Sequence, residues 1–292
     1  MKVLVTGSSG FSGSYIAGYL ASQGYHVILP SRSGNFKLFD TWDIHHSQCT
    51  KIVAELGDLS SSNLDVDIII HAAATSDWIG VSNDKIKKDN IAGTKDLLDF
   101  AISSNIKHFI FLSSFSVFGN ICSQFLNEQT PIFDPGTYGN SKLICENYLQ
   151  SQNSFSCTIF RLPAVIGKGS KRNWPSEFLK KIKSEPSVSY FNPNSLFNNI
   201  IHIQDLATVI GNVINFNIFN NNVFVVGSRL PVTIGECVKI MKLASGSVST
   251  LISHEKQHPT FLVDFTKAEK AIQYNPMSVT QALEKFVIEN EY

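Results

Sequence analysis

The apolar run Lys2-Val3-Leu4-Val5 leads straight into Thr6-Gly7-Ser8-Ser9-Gly10-Phe11-Ser12-Gly13, and Ile16, Ala17 and Leu20 then share one helical face. Strand, glycine turn and helix in that order restrict the start of the chain to a βαβ unit. Gly7 permits the tight turn, Gly10 lets backbone approach a pyrophosphate, and Gly13 lets helix and strand pack closely. The free N–H groups and positive end of the helix dipole then favour phosphate. Gly7, Ser9, Gly10, Phe11, Ser12 and Gly13 are therefore expected to line a dinucleotide site.

Short β-rich runs alternate with helical patterns through the first half. They are His26–Leu29, Lys51–Ala54, Val66–Ile70, His108–Leu112 and Cys157–Phe160, with helices expected over Asp84–Ser104 and Tyr138–Gln152. Such alternation predicts an α/β fold with a doubly wound parallel (Rossmann) sheet in the order 3-2-1-4-5-6, plus a seventh strand at Val223–Val226. Beyond Gly167 the pattern loosens, with helices expected at Trp174–Lys183 and Ile234–Leu243. The chain thus divides into a dinucleotide-binding core over 1–167 and a smaller substrate-capping region over 168–292, from which 201–227 returns to the core. The asparagine-rich segments 192–199 and 215–222 read as surface loops.

Charge is balanced, 24 basic against 24 acidic residues, which argues against nucleic acid or a membrane surface as the main partner. No window is apolar for the length of a membrane span, and the chain enters a strand at once, leaving no room for a signal peptide. The five cysteines are scattered without a Cys-x-x-Cys pair, as expected of reduced thiols in a cytoplasm. His71 and His202 are far apart with no carboxylate cluster, so no metal site is expected.

Two hydroxyls and an ammonium carry the chemistry. Tyr138 and Lys142 are four apart, so on a helix they project from one face. A neighbouring cation favours the phenolate, which would bring the phenol toward the working range of a proton donor and acceptor. Ser113 and Ser114 follow the strand His108–Leu112, at the carboxyl edge where open α/β sheets bind ligands. A hydroxyl there can hydrogen-bond the reacting oxygen beside the tyrosine.

With these motifs the chain resembles the extended short-chain dehydrogenase/reductase family, the NAD-dependent epimerase/dehydratase group. The resemblance rests on Thr-Gly-x-x-Gly-x-x-Gly at 6–13, Gly57-Asp58-Leu59, His71-Ala72-Ala73-Ala74, Asn90-Ile91-Ala92-Gly93-Thr94, the Ser/Tyr/Lys set, Arg161-Leu162-Pro163 with Gly167, and Ile201–Ala207. It implies Ser114 rather than Ser113 as catalytic hydroxyl, because Ser114 lies four residues before the family's Tyr-Gly position, here Phe118-Gly119. It implies Tyr138 as general acid/base, Lys142 as holder of the nicotinamide ribose, and Asp58 at the adenine. Leu59, Ala72, Ala73, Ala74, Asn90 and Pro163 join the cofactor site on the same ground. It also implies a homodimer through the helices Asp84–Ser104 and Tyr138–Gln152, with Ile91, Leu97, Leu98, Ile144 and Leu149 either in that interface or facing the sheet.

Three departures refine this. The second strand ends in Ser31-Arg32 where NAD-binding relatives place an acid, which favours NADP over NAD, although NAD fits as well. Phe115-Ser116 stand where sugar dehydratases carry an acidic pair, which disfavours dehydration. Ala164 and Asn198 replace the Asn and Arg that contact substrate phosphates in nucleotide-sugar members, leaving Lys168, Lys171 and Arg172 as alternative charges. Trp174 and Phe178 are expected to pack rather than stack on a sugar. The expected activity is 4-keto reduction or 4-epimerisation of a nucleotide-activated sugar. Reduction of a non-sugar carbonyl and a silent dinucleotide sensor are the alternatives.

Overall fold

The computed structural model describes residues 1–42, 48–62, 64–255 and 260–290. The chain forms two compact units. The first comprises Met1–Asn120, Ile132–Arg161 and Ala207–Phe224; the second comprises Ile121–Pro131, Leu162–Leu206 and Val225–Tyr292.

The first unit is built on a seven-stranded sheet of β1 (Lys2–Thr6), β2 (His26–Ser31), β3 (Cys49–Val53), β4 (Ile68–His71), β5 (His108–Ser114), β6 (Ser156–Leu162) and β7 (Asn222–Val225). Its order is β7-β6-β5-β4-β1-β2-β3, the expected doubly wound order with the seventh strand added. β1 pairs in parallel with β2 and β4, β2 with β3, and β4 with β5. The central strands β1, β2, β4 and β5 are buried almost residue by residue, because helices cover both faces. That is why their sequences read as unbroken apolar runs rather than alternations.

The helices that position the site are α1 (Phe11–Ser22), α2 (Asn83–Lys87), α3 (Gly93–Ser103) and α4 (Gly136–Gln150). A π turn at Lys88–Ala92 joins α2 to α3 where one uninterrupted helix is expected. Leu97, Leu98 and Leu149 pack with Phe109 and Ile159 in the core, so they face the sheet and are not available to a dimer interface. Burying each such leucine contributes about 1.5–3 kcal/mol. Ile91 and Ile144 stay half-buried.

The second unit carries α5 (Trp174–Ser184), the start of α6 (Ile203–Asn215), α7 (Ile234–Ala244), α8 (Thr266–Ile272) and α9 (Val279–Glu289), with short strand pairs between them. Its core joins Phe178, Leu179, Ile182, Cys237, Met241, Leu283 and Phe286, the inward faces of α5, α7 and α9. Capping boxes, Thr233 with Glu236 and Ser278 with Gln281, satisfy the first N–H groups of α7 and α9. Segment 192–199 is not the surface loop its composition suggests. Leu196–Phe197 pair with Val232–Thr233, and buried Asn198 bonds both the N–H and the C=O of Val263.

Candidate active site

The glycine turn has the geometry its sequence demands. Gly7 has φ +69°, and a Cβ on Gly13 would lie 2.4 Å from the Gly7 oxygen, so α1 can start this close to β1 only with glycine there. Gly10 caps α1 with no side-chain bond, and no acidic residue occupies the first turn. The orphan N–H groups and the dipole are thus left to an anion. Ser8, buried, donates to the Pro30 carbonyl at 2.9 Å and ties the turn to the end of β2. There Ser31 is 4% exposed and its Oγ has no hydrogen-bond partner, while Arg32 is exposed. An uncapped helix start and a partnerless buried hydroxyl at the tip of β2 fit a dinucleotide's pyrophosphate and adenosine ribose.

At the tip of β4, His71 ties three elements together. Its Nδ1 meets Thr6 Oγ1 at 2.7 Å and its Nε2 meets Thr94 Oγ1 at 3.0 Å. Thr94 spends its proton on the Asn90 carbonyl, so Nε2–H donates to Thr94 and Nδ1 accepts from Thr6. Burial, then the Lys142 charge, lowers the imidazole to about 3, which keeps it neutral. Thr6 Oγ1 also accepts from Ala73 N–H, fixing Ala72, Ala73 and Ala74 at the strand ends.

Two expected cofactor residues have side chains engaged inside the protein. Asn90 accepts from Thr75 N–H and donates both amide hydrogens, to the Thr75 carbonyl and to Ser141 Oγ. Its side-chain donors are spent inside the protein, which ties the β4 end to α4. Leu59 is fully buried in the core and its N–H bonds the Leu56 carbonyl, so its side chain is closed to ligand. Asp58 is exposed and accepts from Glu55 N–H. Pro163 lies in the second unit, half-buried.

Ser114, Tyr138 and Lys142 meet at the carboxyl end of β5. Ser114 acts on the Tyr138 phenol, lowering it, while its own hydroxyl donates to Ser116 Oγ at 3.1 Å. Ser114 Oγ also caps the turn Phe115–Phe118, accepting from Ser116 N–H at 3.1 Å. α4 reaches this turn because position 139 is glycine: a Cβ there would fall 1.9 Å from the Ser116 oxygen. Ser113 points elsewhere. Its hydroxyl donates to Glu146, which is 1% exposed and is also held by Arg161 at 2.7 Å. The Arg161 guanidinium lies 4.8 Å from the centre of the Phe118 ring.

The Lys142 ammonium is anchored on β5. Its Nζ donates to the Leu112 carbonyl at 2.8 Å and lies 4.5 Å from the centre of the Phe111 ring. Burial brings this ammonium down to about 8. Tyr138 is instead pushed up to about 12, by burial and then by the Asp77 carboxylate, against the lowering effect of Ser114. The phenol is therefore fully protonated at neutral pH, ready to donate. The buried Ser113–Glu146–Arg161 set, and the effect of Asp77 on the phenol, escape sequence reasoning. Only the regular step Tyr138, Lys142, Glu146 along one helical face hints at the carboxylate.

These features define a dinucleotide-binding α/β protein with a Ser/Tyr/Lys constellation. The sequence profile of the NAD dependent epimerase/dehydratase family matches residues 3–227, and the chain belongs to that family. It is 32% identical over 182 residues to the sterol-4-alpha-carboxylate 3-dehydrogenase, decarboxylating, of Dictyostelium discoideum, covering 57% of this chain and 54% of that protein. The chain thus spans about half the length of that relative. A UDP-glucose 4-epimerase of the same organism is 25% identical over 279 residues, covering 88% of this chain and 73% of the relative. The fold also matches the UDP-glucuronic acid 4-epimerase from Bacillus cereus in complex with NAD, with a TM-score of 0.83, 22% identity, and coverage of 99% and 96%.

Proposed function

We propose that this protein is a nicotinamide-dinucleotide-dependent enzyme that interconverts alcohol and ketone at C4 of a nucleotide-activated sugar, acting as a 4-epimerase. The observation that carries this reading is the packing of Gly139, next to Tyr138, onto Ser116 in the turn that Ser114 caps, which brings both residues to the end of β5 in the same unit as an uncapped glycine turn. The dinucleotide, when bound, supplies the acceptor and donor of the C4 hydride. Tyr138 Oη delivers its proton to the C4 oxygen as the ketone becomes an alcohol, and takes it back in the reverse direction. Ser114 Oγ hydrogen-bonds the same oxygen and holds it in line with the phenol. Lys142, anchored on Leu112, presents a buried positive charge that stabilises the phenolate left behind. In the second unit, Trp174, Phe178, Tyr190 and Phe197 line a cavity of about 490 Å³ with the partnerless Oδ1 of Asn199, which suits the planar base of a nucleotide.

A second reading, 4-keto reduction, is favoured by the protonated phenol and by the end of β2. Ser31 and Arg32 offer a hydroxyl and a guanidinium to a 2′-phosphate, so we assign a preference for NADP over NAD. Arg32→Ala is expected to weaken NADPH at least about tenfold and NADH little, read by fluorescence titration. The two readings separate on stoichiometry. An epimerase converts UDP-glucose and UDP-galactose with no net cofactor use, whereas a reductase consumes one reduced cofactor per 4-keto sugar. Failure of both, with turnover of non-nucleotide ketones, would establish the non-sugar reductase instead.

Two coarser features complete the proposal. Among the described residues no helix is long and apolar enough to cross a membrane, and all five cysteines are free, which supports a cytoplasmic setting. Half-buried Ile91 in the π turn and Ile144 on α4 support a homodimer through these helices, tested by light scattering.

A further inference from the structure

The tip of β5 outruns its ladder with β4, which ends at the pair His71 and Phe111. Beyond that pair α4 takes hold of the strand. Lys142 Nζ donates to the Leu112 carbonyl at 2.8 Å. One turn further along the helix, the Glu146 carboxylate accepts from Ser113 Oγ. On the far side of Ser114, Gly139 closes on the Ser116 carbonyl. Glu146 is itself held from behind by Arg161 on β6, through Nε at 3.1 and 3.2 Å and Nη2 at 2.7 Å. The same guanidinium lies 4.8 Å from the centre of the Phe118 ring, and Phe118 ends the turn that Ser114 caps. Ser113, Glu146 and Arg161 are all buried. A buried, fully bonded ion pair has one arrangement, because moving either member strands a charge. Arg161 thus brackets Ser114, through Glu146 and Ser113 before it and through Phe118 after it.

We propose that Ser113 is a positioning residue of this site: by binding Glu146 it fixes where the next hydroxyl along the chain, that of Ser114, meets the reacting oxygen. The identity of that oxygen rests on the nucleotide-sugar reading above. Successive side chains of a strand point to opposite faces, so pinning one of them sets the rotation of the strand and the direction of the next. Ser113 is the pinned member and Ser114 the one left to the substrate. Catalysis by a placed group is steeply sensitive to distance, and an error of about 1 Å can cost about a hundredfold. Ser113→Ala removes this tie alone, since Glu146 keeps its bonds to Arg161.

The test is a double-variant cycle on kcat and KM for UDP-glucose and UDP-galactose. Ser114→Ala is expected to lower kcat about a hundredfold. Ser113→Ala is expected to lower it about tenfold, with KM, dinucleotide affinity and melting temperature nearly unmoved. Because Ser113 works through its neighbour, adding Ser113→Ala to Ser114→Ala should cost no more than about twofold further. A larger further loss, a loss carried by KM, or a Ser113→Ala kcat within about twofold of the unaltered enzyme overturns the proposal. If neither sugar is turned over, the nucleotide-sugar reading fails separately, and crystal structures of the unaltered protein and Ser113→Ala decide. Ser114 Oγ is then expected to move by about 0.5 Å or more in the variant, away from its 3.1 Å cap on Ser116 N–H. A smaller movement overturns the proposal.

Discussion

The two units bury polarity differently. In the first, three charged residues, Lys142, Glu146 and Arg161, lie almost out of solvent, and neutral His71 and Asn90 join them. In the second, no Asp, Glu, Lys or Arg among the described residues is buried; the core is the apolar faces of α5, α7 and α9, and charged side chains serve exposed caps. A buried ion pair contributes little net stability but punishes the loss of either partner. An apolar face tolerates exchange as long as volume is kept. The first unit therefore has a narrowly specified geometry around Tyr138 and the second a forgiving scaffold.

The largest effect that would sharpen this contrast belongs to the tyrosine itself. Tyr138→Phe is expected to lower turnover by about two to four orders of magnitude while leaving dinucleotide affinity and melting temperature nearly unchanged. Near-normal turnover would remove Tyr138 from the chemistry. Next comes Glu146→Gln, which strands the Arg161 charge and frees Ser113. A loss of about 3–5 kcal/mol in urea unfolding is expected. A loss below 1 kcal/mol would show that this interior is as forgiving as the second unit.

Acid should find the first unit too. His71 is lowered to about 3 and His108 to about 4, in each case chiefly by burial. Unfolded chain binds a proton near pH 6.5, native chain only at those lower values. Stability is therefore fully present above pH 6.5 and falls as pH drops toward 4 and then 3, by up to about 1.4 kcal/mol per pH unit for each histidine. His71→Gln should flatten that slope, and an identical slope would exclude it as a source. The smallest effect is set in the second unit: Ser278→Ala removes one arm of a capping box and should cost about 1 kcal/mol, with catalytic constants unmoved.

What the sequence disclosed follows the same division. Strands buried on both faces announce themselves as apolar runs, and the glycine turn is dictated by backbone sterics, so β1, β2, β4, β5 and α1 were readable. Ser114 was separable from Ser113 only through the resemblance, and its physical reason, the Glu146 carboxylate that occupies Ser113, is a contact across 33 residues. The direction of Lys142 was not readable at all. Helical spacing puts two side chains on one face, but it says nothing about the Leu112 carbonyl and Phe111 ring that draw the ammonium away. Asn198 was misread for a related reason: asparagine-rich composition suggests solvent, whereas this amide copies a strand's hydrogen-bond pattern against Val263.

The π turn at Lys88–Ala92 sets the rotational register of α3. There the Asn90 carbonyl accepts from the Gly93 N–H and also from Thr94 Oγ1 and Cys145 Sγ. Closing these five residues into a regular α spiral, with none removed, would swing everything after them by about 100°. Leu97, Leu98, Phe100 and Ala101 would then rotate off the sheet. The width of one turn, and not any side chain in it, thus decides which face of α3 meets the sheet.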